Sequence, residues 1–288
     1  MSIIKIGSRK SQLAIKQTEA VIKKLKEHFP NDTFEIVGIS TKGDRQLDKS
    51  LQSFGGKGVF IKEIETALLS GEIDMAVHSA KDMPTEICDG LTISAALLRD
   101  DRSDVLVHFG DTKLSDIKII GTGSARRQSQ AEKLFPNAVF KPIRGNIGTR
   151  LEKVKSGEYD AVIMARAAIN RLAVSDVKIE NLGDNFICAA GQGILAIETA
   201  VGKADKYAQA INDKVAMTEL KCERAFLQYT GGGCHAPCGA SAEFNGKEIK
   251  MCTFFKENDK EIYLEMFGND PILLGKKMAE ITLDKIKE

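Results

Sequence analysis

Two adjacent arginines, Arg126 and Arg127, follow a short β-branched run in the stretch IIGTGSARRQSQAEKL, Ile119 to Leu134. Ile119 and Ile120 read as a strand, Gly121 and Gly123 permit a tight turn, and Ser124 can N-cap a helix running toward Leu134. The arginines then fall in the first helical turn, where the macrodipole does not reward cations. Backbone N–H groups, a hydroxyl and two guanidinium forks at one helix start would make an anion site. A solvated basic helix start accounts for the same residues.

The neighbourhood favours the anion site. From Gly121 to Arg171 there are ten basic residues against four acidic ones, whereas the whole chain of 288 residues has 41 against 40. Arg126, Arg127, Arg144, Arg150, Arg166 and Arg171 make up most of the excess, and arginine suits planar, bidentate oxyanions better than lysine. Nucleic acid calls for a basic domain with aromatic platforms or a known motif, yet aromatics are 6% of residues and Trp is absent. A small ligand bearing several carboxylates or phosphates fits better.

Two further groups of residues could do chemistry. His78-Ser79-Ala80-Lys81-Asp82-Met83-Pro84 follows an apolar run, Ile73–Val77, at the strand end where open sheets place their clefts. Asp82 beside Lys81 reads either as a salt-bridged turn or as a carboxylate held ionised by cations, able to stabilise a developing positive charge. Cys234 follows three glycines in TGGGCHAPCG, a loop that lets backbone approach closely and leaves a thiol accessible. Cys222, Cys234, His235 and Cys238 lack the paired spacing of a dependable zinc site.

The elements that must position these residues alternate. Ser2–Gly7 reads as a strand, and Ala14, Thr18, Val21, Ile22, Leu25 and Phe29 lie at helical spacing before Pro30. A strand near Phe34–Ser40 leads into the loop TKGDRQLDKSLQSFGGKG, whose length suits a functional lid. An amphipathic helix, Val59–Ser70, stops at Gly71 and feeds the strand Ile73–His78. Such alternation predicts mainly parallel sheets. GEIDMAV at Gly71 is echoed by GEYDAVIMA at Gly157, which suggests two related α/β lobes facing each other across a cleft. From Met217 the texture changes to a helix, three short strands (Ala240–Phe244, Glu248–Phe255, Glu261–Phe267) and a helix from Pro271, a small α+β domain. The expected division is 1–96 with 194–214 as the first lobe, 97–193 as the second and 215–288 as the third domain.

Composition adds bounds. At 43% hydrophobic the chain can bury more than one core. It has no apolar run of bilayer length and no signal-peptide h-region. Six scattered cysteines suit a reducing compartment better than a disulfide framework. A cytoplasmic location is the expectation, without a membrane or nucleic-acid partner.

The motifs together resemble one family. GSRKSQLA (Gly7–Ala14), KGD (Lys42–Asp44), GGKGVF (Gly55–Phe60), HSAKDMP (His78–Pro84), GTGSARRQ (Gly121–Gln128), RGNIGTRL (Arg144–Leu151), GQG (Gly191–Gly193) and GGGCHAPCG (Gly231–Gly239) occur in the order found in porphobilinogen deaminases, also called hydroxymethylbilane synthases. The resemblance implies two periplasmic-binding-protein-like lobes plus the third domain. It also implies a dipyrromethane cofactor joined by a thioether to Cys234. Four porphobilinogen molecules would be added in turn, each losing ammonia to leave an azafulvene cation, and water would release linear hydroxymethylbilane. Asp82 then matches the catalytic aspartate and also contacts the cofactor. Lys81, Ser124, Arg126, Arg127 and Arg144 would hold cofactor carboxylates, and Arg9, Ser11, Lys57, Arg150 and Arg171 those of the substrate. The resemblance implies no metal, a mobile loop (41–58) that would contain Lys57, and a monomer. Arg166 matches no ligand of the family, and Cys238 could compete with Cys234 or simply pack. The rival reading is a non-catalytic two-lobed protein that binds small anions, which would leave Cys234 and the third domain unexplained.

Overall fold

The computed structural model describes residues 1–41, 61–231 and 237–288. Three sheets organise them. The first contains β1 (Ile3–Arg9), β2 (Thr33–Ile39), β3 (Met75–Ser79), β4 (Leu91–Ala96) and β10 (Leu195–Ala200), in the order β2-β1-β3-β10-β4. The second contains β5 (Asp104–His108), β6 (Ile119–Gly121), β7 (Val139–Lys141), β8 (Ala161–Ala165) and β9 (Lys178–Asn181), in the order β7-β6-β8-β5-β9. Four strands of each sheet run parallel; β10 and β5 run against them. The expected parallel character holds, with one antiparallel strand in the same position of each sheet.

Helices flank the sheets for local reasons. Ser11 N-caps α1 (Gln12–His28), its hydroxyl accepting from the Ala14 N–H at 3.3 Å, and Thr18, Val21 and Leu25 bury one face. Helix α2 (Lys62–Ser70) ends at Gly71 in the left-handed region, φ 75°, which a glycine enters without Cβ strain. The sequence echo marks two equivalent joints. Asp74 accepts from the Lys5 N–H at 2.8 Å, and Asp160 accepts from the N–H groups of Lys118 and Ile119 at 2.9 and 2.8 Å. Each aspartate thereby pins the start of a strand, β3 or β8, to the strand beside it. The second sheet carries α3 (Ala125–Leu134), α4 (Ile147–Lys155) and α5 (Arg166–Arg171), and α6 (Asp205–Ile211) packs on the first.

The C-terminal part pairs β11 (Cys238–Phe244), β12 (Ile249–Glu257) and β13 (Lys260–Gly268) as an antiparallel sheet. Helices α7 (Lys214–Thr230) and α8 (Pro271–Lys287) cover it, burying Phe226, Met251 and Met278. The chain passes between the two large sheets twice, through residues 97–103 and 182–194. One buried carboxylate on α7 ties both passages to the third sheet. Glu223 accepts from Arg99 Nη1 and Nη2 (2.7 and 2.8 Å), from the Gly191 N–H (2.6 Å) and from the Ala242 N–H (2.8 Å). Breaking such a buried pair from one side costs about 3–5 kcal/mol. No helix among the described residues is long and apolar enough to cross a membrane.

Candidate active site

Strand β3 delivers Lys81 and Asp82 on a single 3-10 turn, Ala80–Asp82. The turn leans on the second passage, with the Ala80 N–H donating to the Ile194 carbonyl at 3.0 Å. Gly191 must be glycine here: its φ is 73°, and a Cβ would stand 2.9 Å from Ala80 Cβ and 3.0 Å from the Lys81 nitrogen. Gly193, with φ 90°, would drive a Cβ into the Asp100 carbonyl. Between them lies Gln192, buried, whose Nε2 donates to the Arg102 carbonyl (2.7 Å) and to Asp104 Oδ1 (3.0 Å). Its Oε1 accepts from Lys81 Nζ at 3.2 Å.

Opposite this turn is the start of α3. Ser124 caps it as the sequence predicts, accepting from the Arg127 N–H at 3.4 Å. Arg126 is buried and gives Nη1 to Asp104 Oδ2 and to the Ile187 carbonyl, both at 2.7 Å. Arg127 gives Nε to Asp104 Oδ1 at 2.9 Å and Nη1 to the Ile163 carbonyl at 3.1 Å, with Nη2 also 2.7 Å from Asp104. A guanidinium has five N–H donors, so Arg127 keeps at least two for a ligand. Burial opposes a charge on Asp104, but Arg126 and Arg127 outweigh it and hold this carboxyl far below the usual range.

The remaining cations gather around the same point. Burial, then the charge of Arg127, pulls Lys81 down to about 8, with Asp82 and Asp104 opposing. Arg150 is likewise lowered by burial and by Arg127 and Arg144, with Asp82 opposing, and its Nε donates to the Gly145 carbonyl at 2.8 Å. Arg171 on α5 donates to the Gly193 carbonyl and lies 3.4 Å from Asp100. A cavity of about 60 Å³ is lined by Gln17, Ser79, Lys81, Asp82, Arg171 and Gln192 among others. Lys81, Asp82, Arg126, Arg127, Arg144 and Arg150 thus share one electrostatic neighbourhood, and Arg171 reaches it through the cavity.

Other expected residues make contacts of their own or lie outside the described residues. The Ser11 hydroxyl caps α1, and Arg9 ends β1 half-buried. Lys57, Cys234 and the motif residues Lys42 and Asp44 lie outside the described residues. Arg166 begins α5, its N–H on the Ser103 carbonyl at 2.9 Å. Cys238 packs: it opens β11 inside the third core, and burial pushes its thiol up to about 12. Sequence reasoning missed Asp104 and Glu223. Asp104 closes the run DDRSD (Asp100–Asp104), which looks like any solvated acidic turn, so no local signal marked it.

This donor set can take an anion. Lys81 and Arg150 are both made reluctant to carry charge by burial and by neighbouring cations, and an incoming carboxylate relieves that repulsion. Two family models match the sequence that builds the site: the dipyrromethane cofactor-binding domain of porphobilinogen deaminase over residues 4–208 and its C-terminal domain over 217–284. The chain belongs to the porphobilinogen deaminase family. Curated porphobilinogen deaminases of Geobacillus kaustophilus and Bacillus subtilis are each 43% identical to it, covering 98% and 99% of this chain and 94% of their own. That of Lachnospira eligens is 42% identical over 96% of this chain and 98% of its own. Among solved structures, the periplasmic VFT2 domain of Bordetella pertussis BvgS aligns with 72% of this chain and 84% of its own, at 18% identity and a TM-score of 0.42. The family models and the curated relatives do not favour the rival, non-catalytic reading. The residues present suit such a cofactor: the buried cations around Lys81 and Arg150 would take its acetate and propionate groups, and Asp82 would face its pyrrole N–H groups.

Proposed function

We propose that this chain condenses four porphobilinogen molecules stepwise, with loss of ammonia, and releases linear hydroxymethylbilane by hydrolysis. The observation that carries this reading is that Lys81 and Arg150 each lie within reach of both Asp82 and Arg127, in a chain of this family. Dipyrromethane, attached to Cys234, supplies the nucleophilic pyrrole carbon on which the product is begun. Lys81, Ser124, Arg126, Arg127 and Arg144 hold its carboxylates. Arg9, Ser11, Lys57, Arg150 and Arg171 hold those of porphobilinogen. Asp82 places a negative charge against the cation left when the aminomethylpyrrole loses ammonia, and against the ring protonated during bond formation. The chain acts as a cytoplasmic monomer. Mass spectrometry of the denatured protein tests the core of this reading: the chain should carry the mass of two linked pyrrole rings, and an unmodified mass from an active preparation would overturn it.

The cations should show in binding. Arg127→Leu removes a charge-assisted pair worth roughly 1.5–3 kcal/mol, so binding of the cofactor precursor or of porphobilinogen should weaken by at least about tenfold. Lys24→Ala on exposed α1, where the nearest acid, Glu27, is 3.9 Å away, should behave as the parent. Steady-state KM and cofactor occupancy measure both, and a parental KM and occupancy in Arg127→Leu would sink the carboxylate cleft.

A further inference from the structure

We propose that Asp104 is a positioning residue of the anion site, holding Arg126 and Arg127 directly and Lys81 through Gln192. It stands at the first residue of β5, directly after the first passage between the sheets, and is buried. Its Oδ2 takes Arg126 Nη1 at 2.7 Å; its Oδ1 takes Arg127 Nε at 2.9 Å and Gln192 Nε2 at 3.0 Å. Gln192 then presents Oε1 to Lys81 Nζ at 3.2 Å. The Gln192 amide can satisfy both bonds in only one orientation: its nitrogen must face Asp104 and its oxygen Lys81. Asp104 thus acts without reaching the ligand. It fixes two guanidiniums from the second sheet and one ammonium from the first, so the cations on the two sides of the cleft share one anchor. The inference rests on the reading that these cations hold the carboxylates of the dipyrromethane on which each porphobilinogen is added.

The charge of Asp104 has a second consequence. Lys81 faces Asp82 on its own turn, Arg126 and Arg127 on α3, Asp104 on β5, and Arg171 on α5 across the same cavity. With its group near 8, Lys81 loses its proton as pH rises through that value, and carboxylate binding weakens above it. Asp104 favours the protonated lysine, so its removal moves the loss to lower pH.

The experiment is the pH dependence of kcat/KM for porphobilinogen, from pH 6.5 to 9.5, in the cofactor-loaded enzyme. Lys81→Met identifies the limb that Lys81 sets. Asp104→Asn should shift that limb downward by about one pH unit and so lower kcat/KM more at pH 8 than at pH 6.5. Gln192→Leu keeps both arginine pairs and should shift the limb in the same direction, so a misfolded Asp104→Asn still leaves a test. The substrate's own titration is common to all variants and drops out of the comparison. If Lys81→Met leaves the parent's limb in place, the carboxylate-binding reading of Lys81 fails. If Lys81→Met removes the limb but neither Asp104→Asn nor Gln192→Leu moves it, Asp104 is merely structural and the proposal falls. A shift in Gln192→Leu alone, with a folded Asp104→Asn unshifted, also overturns it.

Discussion

Cys234→Ser should give a folded, inactive chain that carries no stable covalent dipyrromethane. A serine hydroxyl stays protonated near neutral pH and is a far poorer nucleophile than a thiolate, so thioether formation has no substitute at that position. The control is four residues further on. Cys238 is buried at the start of β11, and burial pushes its thiol up to about 12. Almost none of it is thiolate at neutral pH, so Cys238→Ser should keep the full cofactor mass. The measurement is the mass of each denatured variant after incubation with porphobilinogen, beside its thermal unfolding curve. A normal cofactor mass in Cys234→Ser, or loss of the cofactor only in Cys238→Ser, would reverse the assignment.

Asp82→Asn should lower turnover by roughly a hundredfold or more, the size seen when one preorganised electrostatic group is removed. Asparagine keeps the shape and a carbonyl acceptor but deletes the negative charge that Lys81 and Arg150 both feel. The loss should therefore fall on the steps in which positive charge develops, and hence on kcat. Asp82→Glu keeps the charge, displaces it, and should retain more activity than asparagine. A structural role makes the opposite forecast: a weakened Ala80–Asp82 turn would lower the melting temperature while activity per folded molecule stayed normal. Single-turnover release of ammonia, read with thermal unfolding of the same variants, separates the two. An early-melting Asp82→Asn that releases ammonia at the parent rate when folded would make Asp82 structural.

Local physics made much of the framework readable in one dimension. The Ser124 cap and the helix to Leu134 follow from a hydroxyl placed before a helical run. Gly71 and Gly157 mark helix ends because both backbones enter the left-handed region, at φ 75° and 78°. The three C-terminal strands lie within a few residues of their expected places, since alternation and turns are short-range properties. The convergence of arginines on one lobe was legible for the same reason: it is a bias of composition within one stretch of chain. Motif order did the rest, pointing to a family that the full-length matches then showed.

What the linear chain did not reveal has long reach. The parallel alternation gave no sign that β5 and β10 would cross over and run antiparallel in equivalent positions, because that depends on which strand each meets after passing between sheets. Asp104 joins Arg126 across 22 residues and Gln192 across 88, and Glu223 joins Arg99 across 124. Neither carboxylate differs in its local surroundings from a solvated surface acid. Burial distinguishes them, and burial exists only once the sheets have packed. The sequence by itself determined the residue types of an anion site, the caps and turns that present them, and the family. Tertiary structure alone decided that Arg126 and Arg127 are anchored by Asp104, that Gln192 carries that anchor to Lys81, and that Cys238 is withdrawn into a core. Each is a contact between distant segments, set by the low-dielectric interior that forces buried charges to find partners.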